Sequence, residues 1–154
     1  EDFPKWSQFR SFLLMKEVPM FRTLPQEEQL HMFSQLQHQE FMDGEYIVRQ
    51  GDVGDKFYMI TEGAVDVVEE RVHENGALTN EVLTRLYEGH FFGEMALIYD
   101  EPRVASVLAV GRTACLYLTT VAFRQALSAQ QFHIMMQEIS YKRVLMREQR
   151  KITR

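Results

Sequence analysis

Between residues 40 and 119 glycine recurs in turn-forming pairs: Asp43-Gly44, Gly51-Asp52, Gly54-Asp55, Glu62-Gly63, Asn75-Gly76 and Glu88-Gly89. Short apolar runs lie between and after them: Phe41, Tyr46-Ile47-Val48, Phe57-Tyr58-Met59-Ile60, Ala64-Val65-Asp66-Val67-Val68, Val82-Leu83, Arg85-Leu86, Val104 to Ala109 and Thr113 to Leu118. Segments interrupted so often are too short to form packed helices, whereas strands joined by glycine turns need this spacing. The pattern predicts a mainly β fold, an antiparallel eight-stranded β-roll of the jelly-roll kind.

On either side the period becomes helical. Over residues 5–17, Trp6, Phe9, Phe12 and Leu13 fall on one side, and Val18-Pro19-Met20-Phe21 interrupts the pattern. Pro25 starts a second helix running to about Leu36, with Leu30, Phe33 and Leu36 expected as its buried stripe. After the roll, Thr119-Thr120 can cap a helix from near Val121, and Phe123, Leu127, Phe132, Met135, Met136 and Ile139 continue an apolar stripe. From Tyr141 to Arg154 the charges are Lys142, Arg143, Arg147, Arg150, Lys151 and Arg154 against Glu148. Basic residues suit a helix C-terminus, so a solvated face is expected, and a docking surface for an acidic partner is the sharper alternative. The organisation read from this is an N-terminal helical lead-in over 1–37, the β-roll over 38–119 and C-terminal helices over 120–154.

A length of 154 residues fits one domain able to bury a core. The net charge of -5 argues against a nucleic-acid partner, and no apolar stretch approaches membrane-spanning length. A lone cysteine, Cys115, excludes an internal disulfide framework and fits a reducing cytoplasm. It lies in an apolar strand and is expected in the core. His31, His38, His73, His90 and His133 form no ligand-spaced pair, and neither a nucleophile elbow nor a P-loop is present, so neither a metal site nor an enzyme is expected. The chain starts at Glu1 without Met, and a piece of a longer polypeptide is expected.

The least ordinary chemistry lies between Phe91 and Val107. Gly93 breaks a strand end, and Glu94 opens a helical turn that Asp100-Glu101-Pro102 stops, because Pro102 pushes Glu101 into an extended conformation. Arg103 then starts the next strand. Backbone N–H groups of the turn and the Arg103 guanidinium can converge on one phosphate, and Glu94 can accept from an adjacent sugar hydroxyl. The bland alternatives are a surface Arg103 paired with Asp100 or Glu101, and a Glu94 that merely stabilises its own turn.

The run FGEMALIYDEPRVASV, residues 92–107, closely resembles the phosphate-binding cassette of cyclic-nucleotide-binding domains, as found in regulatory subunits of cyclic-AMP-dependent protein kinase and in cyclic-GMP-dependent kinases. The lead-in VPMFRTL resembles the helical approach to the barrel in that family. The resemblance implies that Arg103 clamps the exocyclic phosphate oxygens and that Glu94 meets the ribose 2′-hydroxyl. Ala96 and Ala105 would supply backbone donors, Gly93 the close approach, and Met95 would line the cassette beside them. Val67 and Leu83 would line the apolar cavity around the purine, although alternating aliphatics are core residues by default. Tyr141 would be the aromatic lid on a C-terminal helix, stacking on the base. Where members selective for cyclic GMP carry Thr or Ser, this chain has Val104, which favours cyclic AMP. The expected function is a cytoplasmic regulatory domain binding cyclic AMP as an allosteric switch, within a kinase-regulatory or other signalling protein. Its effector would be of the kinase catalytic domain kind, without nucleic acid or membrane insertion. A module binding cyclic GMP or a nucleoside, or a cyclic-nucleotide-gated channel tail, is the alternative.

Overall fold

The structure, a computed structural model, describes residues 5–137, with side chains from residue 10 onward. Ile139, Tyr141 and the basic stretch to Arg154 lie outside the described residues, as do the side chains of Trp6 and Phe9.

Three helices lead in: α1 (Lys5–Glu17), α2 (Pro19–Arg22) and α3 (Gln26–Ser34). The break between the first two falls at Val18, held extended at ψ 120° by the proline that follows it. The buried face of α3 is carried by Gln29 and Met32, whereas the expected Leu30 is 50% exposed. The reason is polar. The Gln29 side-chain amide donates to the Phe21 carbonyl at 2.9 Å and the Arg22 carbonyl at 3.3 Å, satisfying the orphan acceptors at the end of α2. That rotation leaves Phe33 and Leu36 half-buried against the core. On α1, Met15 is buried and Leu13 faces outward.

The six strands are β1 (Gln37–Phe41), β2 (Tyr46–Val48), β3 (Lys56–Val72), β4 (Leu78–Tyr87), β5 (Phe91–Phe92) and β6 (Ser106–Thr119). They pair antiparallel in the order β1-β6-β3-β4, with β2 also on β6 and β5 also on β3. The described residues therefore hold six strands, not the expected eight, because runs read as separate strands are continuous. Gly63 (φ 84°) and Gly111 (φ 68°) bend β3 and β6 without ending them, and the β3–β6 register shifts on either side of Glu62. The Thr113 hydroxyl donates to the Ala64 carbonyl at 2.9 Å across this bend.

The sheet separates two cores by its period of two. Along β3, Phe57 and Met59 face the helices with Met15, Phe21, Leu116, Leu118 and Phe123, while Tyr58, Ile60 and Val65 face inward with Phe41, Ile47, Val107 and Cys115. After β6 comes α4 (Thr120–Ala126), whose first turn is capped by the Thr119 hydroxyl accepting from the Ala122 N–H at 3.1 Å. Leu127 is extended and interrupts the expected stripe, and residues 129–137 are helical again.

Candidate functional site

The site is built on the end of β5. Phe92 pairs with Tyr58 of β3 in register and stacks on its ring, centroids 5.1 Å apart and planes within 15°. At Gly93 the backbone turns through φ 81°, a conformation glycine adopts without strain, and a single 3-10 turn follows over Glu94–Leu97. Ala96 and Leu97 are buried, and the Thr120 hydroxyl donates to the Ala96 carbonyl at 2.9 Å, fixing the turn to α4.

The chain returns beneath the loop joining β2 to β3. Pro102 forms an isolated antiparallel bridge with Val53, the Arg103 N–H donates to the Asp52 carbonyl, and the Gly51 N–H donates to the Arg103 carbonyl, both at 2.8 Å. Beside these, the Gln50 N–H donates to the Ser106 hydroxyl at 2.8 Å. The Gln50 side chain meanwhile accepts from the Glu70 N–H at 2.7 Å and donates to the Glu70 carbonyl at 3.1 Å. This zipper holds the Arg103 backbone on both sides.

The Arg103 guanidinium is half-buried. Its Nη2 donates to the Lys56 carbonyl at 2.7 Å, and its Nε is buried without a hydrogen-bond partner. Burial pushes its pKa down, while Tyr58 and Asp55 push it back up. Burial also raises the Tyr58 hydroxyl to about 12, with the Arg103 charge opposing. An orphaned buried donor costs on the order of 1–3 kcal/mol, and this one lies against Gly54.

A cavity of about 900 Å³ opens onto this arginine. It brings together Gly93, Glu94, Met95, Ala96, Arg103, Val104 and Ala105 from the cassette with Val67 from β3. Leu83 is not in this lining and is 47% exposed. Its displacement has a cause in the register: Val67 faces Thr84 and Val68 faces Val82, so Leu83 is the extra residue of a bulge. The Ala96 N–H donates to the Gly93 carbonyl at 3.0 Å, so an anion would compete for that donor. The lining also contains residues to which the sequence assigned no ligand contact. Val48 and Val107 come from β2 and β6, Phe91 and Phe92 from β5, Met20 and Leu24 from the lead-in, and Gln131, Ile134 and Met135 from the helical residues 129–137. An alternating strand position on the Val67 face was the available signal for Val107, whereas nothing local marks Met20 or Leu24. Among the described residues no group of three or more His, Cys, Asp or Glu could hold a metal ion, and no helix is long and apolar enough to cross a membrane.

Comparison with known proteins agrees with this geometry. Residues 38–130 match the family described as the cyclic nucleotide-binding domain. The chain is 39% identical to the cAMP-dependent protein kinase regulatory subunit of Dictyostelium discoideum over 72% of its own length and 34% of that protein's. It is 34% identical to the cGMP-dependent protein kinase of Plasmodium berghei over 73% of its length and 12% of that protein's. The regulatory domain of Toxoplasma gondii PKA, solved with cAMP, superposes with a TM-score of 0.69 at 26% identity, covering 88% of this chain and 51% of that one. The chain thus spans about a third or less of the curated relatives named here. A family match over most of the chain, on a roll with the cassette in place, is conclusive: the chain belongs to the cyclic nucleotide-binding domain family.

Proposed function

We propose that the cavity binds a cyclic nucleotide, cyclic AMP in preference, and that the domain reports its occupancy to an effector as an allosteric switch. The observation that carries this reading is the Arg103 guanidinium, a half-buried cation lining a cavity of about 900 Å³. A phosphate monoanion matches it in charge and in acceptor geometry. Glu94 takes the ribose hydroxyl, Gly93, Met95, Ala96 and Ala105 form the cassette wall, and Val67 with Val107 offers the purine an apolar face. Val104 has no hydroxyl to meet a guanine amino group, and the Toxoplasma relative was solved with cAMP. Leu83 stays outside this assignment, because it does not line the cavity. Tyr141 is assigned as the lid that stacks on the base, on the resemblance alone.

The switch needs differential affinity: a ligand shifts an equilibrium only by binding one state better than the other. A wall contributed by residues 129–137 supplies such a difference if that helix moves, since its contacts with the ligand exist in one arrangement only. The regulated partner is a kinase catalytic domain or another signalling effector in the cytoplasm, with the domain itself a sensor and not a catalyst.

Isothermal titration calorimetry with cyclic AMP tests the reading. Arg103→Ala is expected to bind about 30-fold to several thousand-fold more weakly, corresponding to about 2–5 kcal/mol. A variant that binds as tightly as the parent sinks the assignment. Mass spectrometry of ligand co-purified with the protein separates a cyclic nucleotide from a nucleoside.

A further inference from the structure

Of the eight glycines in the chain, seven lie at positive φ, where any other residue would be strained. Gly54 is the exception. Its backbone does not require glycine, so the explanation has to be space. Gly54 is buried, and a Cβ built on it overlaps Nε and Cζ of Arg103 and comes within 2.5 Å of Nη2. On the opposite side a Cβ on Gly93 overlaps Nη1 and lies 3.3 Å from Cζ and 3.1 Å from the Lys56 carbonyl oxygen. The guanidinium is thus wedged between two glycines, with the Lys56 carbonyl holding Nη2.

We infer that Gly54 is a positioning residue for the ligand: its missing side chain sets the plane of the Arg103 guanidinium and aims it before any ligand arrives. The inference rests on the reading of Arg103 as the phosphate-binding group, but the wedge itself does not depend on it. Gly93 would have to be glycine for its backbone alone, whereas at Gly54 the three atoms nearest an added Cβ all belong to the arginine. Pre-aiming matters because an ordered fork loses less freedom on binding than one that must first be recruited. Even a small misplacement of a binding group is costly.

The test is a cycle of Gly54→Ala, Arg103→Ala and the double variant, read in two ways. In ligand-free protein, the Arg103 Nε–H resonance should be protected from solvent exchange in the parent and lose that protection in Gly54→Ala. In calorimetry with cyclic AMP, Gly54→Ala should weaken binding by roughly ten- to a hundred-fold. The same change made on Arg103→Ala should add less than about a twofold loss. An unchanged Nε–H signal, or an equal loss in both backgrounds, overturns the inference. If Gly54→Ala alone does not fold, the double variant should, because it removes the overlapping group; a double variant that also fails to fold overturns the inference as well. A parent that binds no cyclic AMP would refute the proposed function, and the exchange and rescue results would still decide the role of Gly54.

Discussion

Val104 stands 86% exposed at the edge of the cavity, beside the arginine that the fold has taken such care to hold. Its exposure means that a substitution there costs the core nothing and alters only what the ligand meets. Val104→Thr is expected to shift the ratio of affinities toward cyclic GMP by about two- to tenfold, the yield of one added hydrogen bond. Competition binding with both nucleotides checks it, and an unaltered ratio removes Val104 as a selectivity position. At this scale much of the site was legible, because Gly93, Pro102 and Arg103 each act through local backbone or charge and lie within one short stretch. Gly54 was not. In the sequence it looks like the other turn glycines, and only coordinates separate a glycine needed for φ from one needed for room. Leu83 lies outside the cavity lining for another reason: strand alternation predicts which face a residue takes only while the register holds, and it is skipped at this point.

Among the elements, the long strands differ most from expectation. Glu62-Gly63 has the pattern of a turn that ends a strand, and Val104 to Ala109 and Thr113 to Leu118 that of two strands, whereas Gly63 and Gly111 each serve as a bend inside one strand. The distinction is invisible locally, since both uses need the same φ. At Gly63 the bend also brings the Arg112 carbonyl oxygen to 2.5 Å and the Thr113 Cα to 3.0 Å from where a Cβ would sit. Gly63→Ala should therefore combine left-handed strain with a backbone clash, and a loss of about 1–3 kcal/mol or more is expected. Urea unfolding measures it, and a loss below about 0.5 kcal/mol would mean that the bend is not held as described. The helices show the same limit from the other direction. The existence of α1, α3 and α4 is plain from period, Pro25 and Thr119, but α2 occupies the stretch expected to interrupt the helices, and the buried face of α3 is set by the carbonyls that Gln29 caps at the end of α2. A contact across a turn leaves no trace in the periodicity of α3 alone.

For the molecule as a whole, two groups in the inner core bear on stability at high pH. Burial raises Tyr58 from 10.0 to about 12 and Cys115 from 9.0 to about 12. Both are neutral when protonated, and the folded state holds their protons more tightly than the unfolded chain does. Their contribution is fully present below the unfolded values and is lost as pH rises through the window from about 9 to about 12. Unfolding midpoints should fall across that window. Tyr58→Phe and Cys115→Ala should each flatten the fall, whereas equal slopes in parent and variants would exclude both groups as its source.

The zipper around Arg103 has a further consequence, for how the domain can be divided. The Gln50–Ser106 bond closes a loop between residues 56 positions apart, and the two Gln50 amide bonds close another of 20. Gly54 and Lys56 lie near one end of the longer of these two loops, and Gly93 and Arg103 near the other. No fragment that lacks either half can hold the site, and no partly folded chain with the roll still open can display it. Ligand affinity is therefore an all-or-none gauge of folding: bound nucleotide counts only closed molecules, and by mass action draws the population toward them.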